Sequence, residues 1–385
     1  MNMNELVDFY KGKKVFITGH TGFKGSWLCK MLLDFGAEIS GYALVPPTNP
    51  NLFELINLED KMSSYIGDIR DYESLWNAFS KERPEIVIHM AAQPLVRESY
   101  KDPVGTYATN VMGTVNILEC VRKSNFVKSF VNVTTDKVYR NNEWDKGYVE
   151  TDFLDGYDPY SNSKSCSELI THSYSQSFLN EMGVPVSTCR AGNVIGGGDF
   201  AVDRIIPDCI RASFDGKPVI VRNPNSTRPY QHVLEPLFAY LMVAMKQYED
   251  NAYASNYNIG PNDDNCVTTG ELVDTFVAAW NQKIQTVEGC FAKRASRRDM
   301  SDGGPHEANF LKLDCTKLKR TFEWEPRWNV KETIERIIDF ELLRLQGESG
   351  EKLSVCMEKQ IMDYMNIYNN KGKEYEGKTE RAYSI

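Results

Sequence analysis

Between Lys14 and Arg190, short apolar runs alternate with polar or amphipathic stretches of helix length, and the first run ends in glycines. That rhythm constrains the fold more than any other property of the chain. Lys14–Thr18 (KVFIT) leads into Gly19, Gly22 and Gly25, and Ser26–Phe35 follows with helical spacing at Trp27, Met31 and Phe35 before a stop at Gly36. Further strand-like runs are Ile39–Leu44, Ser64–Gly67, Glu85–Met90, Phe126–Thr134 and Val184–Arg190. Between them Tyr72–Lys81, Tyr107–Lys123 and Tyr160–Met182 are long enough for crossover helices. Strand, helix, strand in this order predicts an α/β protein built on a doubly wound parallel sheet with helices on both faces.

The glycines give that sheet a chemistry. Thr18-Gly19-His20-Thr21-Gly22-Phe23-Lys24-Gly25 sits after the first strand and opens the first helix. Residues without a Cβ let backbone amides at a helix start approach a pyrophosphate, whose charge the helix dipole favours. The spacing is Gly-x-x-Gly-x-x-Gly, so a tight turn alone would also account for it; its place in a long βαβ series predicts a Rossmann-type dinucleotide site. Ile39–Pro47 lacks the acid expected on the ribose, and no Lys or Arg between Lys30 and Lys61 stands ready for a 2′-phosphate, so the local reading leans to NAD. Gly67-Asp68-Ile69 ends the third strand, where Asp68 either flanks the adenine or caps the next helix.

Tyr160 and Lys164 lie four apart at the start of a helix, on one face. A phenol with an ordinary pKa near 10 is a poor base unless a cation stabilises the phenolate, which Lys164 and a positive nicotinamide ring would do. Tyr-x-x-x-Lys is common by chance. Here it follows a dinucleotide turn and a strand ending Val133-Thr134-Thr135-Asp136-Lys137, at the carboxyl edge where open parallel sheets bind ligands. An Asp–Lys neighbour pair at a strand end is otherwise simply an ion pair.

With these residues in place, the chain resembles the extended short-chain dehydrogenase/reductases that act on nucleotide sugars, the NAD-dependent epimerase/dehydratase family. The likeness spans roughly residues 10–345. It rests on GHTGFKGSWL (19–28), HMAAQPLVR (89–97), NVMGT (110–114), TTDKVY (134–139), GYDPYSNSK (156–164), RAGNVIGGGD (190–199), RPYQHV (228–233) and HEANFLKLD (306–314). Within the family, Thr135-Asp136-Lys137 is most similar to the dehydratases, and Lys137 to those that take CDP-glucose; dTDP-glucose dehydratases typically carry Glu there.

The resemblance implies 4,6-dehydration of a nucleotide hexose, CDP-glucose being the expected substrate. Tyr160 would be the base at the 4-hydroxyl with Thr135 on O4, Asp136 the acid at the C6 oxygen and Lys137 the base at C5. Gly19, Thr21, Gly22, Phe23, Lys24, Gly25, Asp68, Ile69, Ala91, Ala92, Gln93, Thr134, Tyr160 and Lys164 would line NAD. Gln93, Asn193, Arg204, Arg228, His232 and His306 would face the nucleotide sugar, with Glu307 beside them. Asn110 would hold a water on a proton path or kink its helix. A homodimer through paired helices, or a homotetramer, is expected of the family. The rivals are a 4-epimerase, a dehydratase for another nucleotide hexose, and a non-catalytic NAD-binding protein. Epimerisation does not need the charged pair at 136 and 137, and an intact Tyr160, Lys164 and Thr135 speak against a non-catalytic scaffold.

Length and composition bound the rest. With 385 residues, the chain reads as two lobes: residues 1–193 and 229–259 for the dinucleotide, 194–228 and 260–345 for the nucleotide sugar. In the second lobe Thr268 and Glu271 form a capping-box pair ahead of Leu272, Phe276 and Trp280, and Gln282–Gly304, with Lys293, Arg294, Arg297 and Arg298, reads as a solvated loop. Residues 346–385 form an extension, helical at Leu353, Met357, Ile361, Met365 and Tyr368 and disordered thereafter. A formal net charge of −9 argues against nucleic acid. The longest apolar run, Leu237–Met245, is too short to cross a bilayer, and no secretory pattern opens the chain, so a cytoplasmic enzyme is expected. The nine Cys and five His are dispersed, with no Cys-x-x-Cys pair, which predicts reduced thiols and no metal site.

Overall fold

A computed structural model describes residues 3–286, 292–300 and 310–382. Seven strands form one sheet: β1 (Lys14–Thr18), β2 (Glu38–Ala43), β3 (Ser63–Ile66), β4 (Ile86–His89), β5 (Ser129–Thr135), β6 (Val186–Ala191) and β7 (Asn256–Ile259). Their order is β7-β6-β5-β4-β1-β2-β3, and every pairing is parallel. The chain reverses its direction of winding between β1 and β4, so a crevice opens there beyond the carboxyl ends of the strands. β4 and β5 are buried along their whole length, as apolar runs in a doubly covered parallel sheet must be.

Apolar helices close both faces. One is covered by α1 (Met3–Tyr10), α2 (Phe23–Asp34) and α3 (Leu234–Glu249). The run Leu237–Met245 lies in α3 and is fully enclosed, which accounts for a helix apolar on all sides. The other face is covered by α4 (Tyr72–Glu82), α5 (Gly113–Lys123) and α6 (Pro159–Tyr174). The helix expected over Tyr107–Lys123 is interrupted by a π-turn at Ala108–Met112, and that over Tyr160–Met182 changes to a π-turn at Ser175–Leu179.

A second core gathers Ile206, Ile210, Val219, Val221, Leu272, Phe276, Trp280, Ile334 and Ile338. The capping box at Thr268 and Glu271 opens its helix, Thr269–Lys283. The solvated loop expected over Gln282–Gly304 is corrected in part. Arg297–Asp299 pairs parallel with Val219–Val221, and Arg297 binds Asp274 and Asp299, each at 2.7 Å, so its charge is spent inside the lobe.

The C-terminal helix α7 (Gly350–Ala382) buries Leu353, Met357, Ile361 and Met365 against the body, and adds Tyr364, stacked on Phe238 at 4.5 Å. Only the backbone of Tyr368 is described. Helix continues where disorder is expected after residue 368: the run is rich in Lys and Glu, good helix formers, and holds no proline. Among the described residues no helix is long and apolar enough to cross a membrane, and no group of three or more His, Cys, Asp or Glu is placed to hold a metal ion.

Candidate active site

The glycine turn lies at the crevice. Gly19 has φ +82°, and a Cβ there would come within 2.8 Å of the Ala91 amide nitrogen; at Gly25 it would fall 2.2 Å from the Gly19 carbonyl oxygen. β1, α2 and the segment after β4 can therefore meet only around glycine. Gly22 is the N-cap of α2 and offers no side-chain cap, so the first amides of the helix are left for an anion. Thr18 Oγ1 accepts from the amides of Met90 and Ala91, both at 3.1 Å, which fixes the β4 end. Thr21 donates to the Leu44 carbonyl at 2.8 Å. At the end of β2, where a ribose-binding acid is looked for, Leu44 and Val45 are 58% and 65% exposed. This cradle fits the diphosphate of a dinucleotide, with an apolar shelf beside it.

Across the crevice, Asp158 caps α6 through the Ser161 amide at 2.9 Å, with Pro159 at the first helical position. That start sets Tyr160 and Lys164 on the buried side of the helix. Lys164 Nζ donates to the Val133 carbonyl at 3.1 Å, and burial draws its pKa down to about 8. Burial pushes Tyr160 up to about 12, opposed by a hydrogen bond with Thr135 and by the Arg204 charge. Thr135 also donates to Asp136 Oδ1 at 2.9 Å. Asp136 is 1% exposed, burial raises its pKa, and its Oδ2 has no hydrogen-bond partner. Lys137 and Arg228 oppose that rise, which places both charges near the carboxyl.

Lys24 enters the same field. Burial and the charges of Lys164 and Arg204 draw it down to about 7, and its ammonium donates to the Tyr240 hydroxyl at 3.4 Å. Arg204 is held by Asp199 at 2.9 Å, Arg228 donates to the Thr227 carbonyl at 3.1 Å, and Asn193 meets the Tyr230 hydroxyl. The structure thus brings together Lys24, Thr135, Asp136, Lys137, Tyr160, Lys164, Arg204 and Arg228.

Other expected residues are committed elsewhere. His232 is wholly buried between Trp27 and Trp328, at 5.9 and 4.7 Å, and accepts from the Leu234 amide; it is corrected from a substrate contact to a core residue. Thr134 gives its hydroxyl to Glu168, and Ile69 packs against Gly113. The Gln93 amide is used at both ends, by Thr106 and Leu95. Asp68 is paired with Arg70 at 2.5 Å. His306 and Glu307 lie outside the described residues.

Hydrogen bonds from a buried polar face seat α6. From the π-turn, Asn110 binds both the amide and carbonyl of Gln93 and donates to Ser163, joining the β4 edge to α6. Thr114 and Asn132 reach Ser167, and His89 links Thr114 to Thr18. Glu168 and Tyr240 lie in no motif, and His89 and Arg190 open motifs that give them no role of their own.

The sequence model described as GDP-mannose 4,6 dehydratase matches residues 16–337. CDP-glucose 4,6-dehydratase of Salmonella typhimurium (strain LT2) is 47% identical over 365 residues, covering 93% of this chain and 98% of its own. Among solved structures, dTDP-glucose 4,6-dehydratase from Bacillus anthracis in complex with NAD superposes with a TM-score of 0.69 at 21% identity, over 86% of this chain and 97% of that one. UDP-glucuronic acid 4-epimerase from Bacillus cereus, with UDP-glucuronic acid and NAD, gives 0.72 at 21% identity, over 86% and 99%. The two structural likenesses show the fold.

Proposed function

The chain belongs to the GDP-mannose 4,6 dehydratase family, and from that premise we propose that it is a hydro-lyase converting CDP-glucose to CDP-4-keto-6-deoxyglucose with NAD. The observation that carries this reading is the second acid–base pair beside the first. Asp136 and Lys137 follow Thr135 directly, and the buried, unbonded Oδ2 of Asp136 lies in the same cluster as Tyr160 and Lys164.

The amides of the glycine turn would hold the diphosphate of NAD, and Lys24, Ala91 and Ala92 would line the same edge. NAD, when bound, would accept the C4 hydride and give it back at C6. Tyr160 takes the 4-hydroxyl proton while Thr135 holds O4. The resulting ketone acidifies C5, where Lys137 takes the proton. Asp136, whose pKa burial raises, gives its proton to the C6 oxygen, and water leaves. Lys137 then returns its proton to C5. The proton gained at Tyr160 balances the one lost at Asp136, so the net change is loss of one water. Arg204 and Arg228 would grip the sugar diphosphate through their planar forks.

The two-lobe division of the chain and a cytoplasmic setting belong to this proposal. So does a homo-oligomer: Val104, Met112, Leu169 and Phe178 stand exposed on the outer surface of α6 and its neighbouring turns, an apolar face suited to a second copy. Incubation with NAD⁺ and a panel of CDP-, dTDP-, GDP- and UDP-hexoses tests the function. CDP-glucose should give a 4-keto-6-deoxy product that absorbs strongly in base. No turnover of any nucleotide hexose, with dinucleotide bound, would refute it.

A further inference from the structure

Behind the catalytic pair lies a second buried pair that the mechanism above does not use. Glu168 follows Lys164 by one turn of α6, and Arg190 lies at the end of β6. Arg190 Nη2 meets Glu168 Oε2 at 2.8 Å and Nε meets Oε1 at 3.0 Å, with both side chains at most 2% exposed. The carboxylate also accepts from the Thr134 hydroxyl and, at 2.6 Å, from Thr188. Arg190 Nη1 in turn donates to the Tyr139 hydroxyl at 2.7 Å and the Glu150 carbonyl at 3.0 Å. One carboxylate therefore rivets α6 to the ends of two strands. Its contact on β5, Thr134, lies between Val133, whose carbonyl takes the Lys164 ammonium, and Thr135, whose hydroxyl meets Tyr160 and Asp136.

We propose that Glu168, clamped by Arg190, is a positioning residue of the dehydratase: it fixes the β5 terminus against α6, beneath Tyr160 and Lys164. The inference rests on the roles given above to Tyr160 and Lys164. Lys164 sits where burial disfavours its ammonium, and the Glu168 charge is what opposes that. The other groups facing it do not help. Lys24, from α2, repels it; His89, from β4, is pushed down to about 3 by burial and stays neutral; Tyr160, on the same helix, is a phenol. Arg190 cannot substitute, since it carries the same sign as Lys164. A buried pair of this kind is weak evidence for stability by itself, so a role in holding the site is the more economical account of it.

The test is the pH profile of kcat for CDP-glucose turnover. Its alkaline limb is assigned by Lys164→Met, which should remove it. In Glu168→Gln the limb should move down by on the order of one pH unit. Because a lone buried Arg190 threatens folding, the double variant Glu168→Gln/Arg190→Gln is measured beside it and should show a smaller displacement in the same direction. There the Arg190 charge that repels Lys164 is removed with the Glu168 charge that attracts it. Glu168→Asp, which keeps the charge, should return the limb toward its normal place even with a lowered kcat. A limb that stays put in folded Glu168→Gln as well as in the double variant, with kcat merely scaled, overturns the proposal and leaves a structural pair. Absence of turnover in the unmodified protein would instead overturn the dehydratase reading itself.

Discussion

Thr135 donates to Asp136 across 2.9 Å, engaging one carboxyl oxygen and leaving the other buried without a partner. A buried polar atom left unbonded costs about 1–3 kcal/mol, so a site retains one where a ligand completes it. The C6 hydroxyl of the sugar is the group that the dehydratase chemistry brings to that oxygen. Asp136→Asn keeps the shape and the bond to Thr135 but has no acidic proton. Elimination should slow by roughly 10²–10⁴-fold. C4 oxidation should persist, seen as a rise in reduced-nicotinamide absorbance on mixing with CDP-glucose. Equal loss of both steps would assign Asp136 to the first.

Thr135 serves Tyr160 as well, and its hydrogen bonds lower the pKa of both neighbours. Thr135→Val should therefore raise both. Tyr160 must lose its proton to act, so the acid limb of kcat/KM should shift upward, while Asp136 holds its proton to higher pH. Thr135→Ser should restore the limb. A pH series on the three proteins checks the sign: a downward shift in the Val variant would contradict the geometry.

Why some of this was legible in the sequence and some was not follows from the kind of contact involved. β1, β4 and β5 were readable because a doubly covered strand must be a continuous apolar run. The glycine turn was readable because close backbone approach leaves no choice of residue. α6 shows the opposite case. Its buried face is Ser161, Ser163, Ser165, Ser167 and Thr171, held by hydrogen bonds to Asn110, Thr114 and Asn132, and hydrophobic spacing is silent about such a face. His232 was misassigned because its motif shows adjacency but not direction; Trp27 and Trp328, distant in sequence, enclose it. Glu168 and Arg190 become partners only once β6 lies beside β5.

His20 and Gly41 are coupled by space. A Cβ on Gly41 would fall 2.4 Å from the His20 ring, which Ser64 holds at 2.8 Å and Phe53 flanks at 5.3 Å. The ring cannot yield without losing those contacts. Gly41→Ala should destabilise the protein by about 1–3 kcal/mol, the usual cost of overpacking. In the His20→Ala background the same change should cost under about half of that. Urea denaturation of the four proteins closes the cycle, and additive effects would show that the ring moves freely.

Glu235 offers a test of how the C-terminal helix is held. Its carboxyl is fully buried and accepts from the amides of Arg327 and Trp328 and from the Tyr364 hydroxyl at 2.6 Å. Burial outweighs these donors and pushes its pKa up to about 7. A folded pKa above the unfolded value near 4.5 means that the folded state binds more protons between the two. The stabilisation from this group is therefore complete below about pH 4.5 and is lost as pH rises through 7. The loss amounts to about 3 kcal/mol at 1.36 kcal/mol per unit. Glu235→Gln has no proton to lose, so its unfolding free energy should lack this decline and exceed that of the unmodified protein at pH 8. Tyr364→Phe should deepen the decline, since the anion loses a donor. Urea titrations at pH 5, 6, 7 and 8 distinguish these outcomes. Parallel curves for Glu235→Gln and the unmodified protein would mean that Glu235 stays ionised and that its three donors outweigh burial.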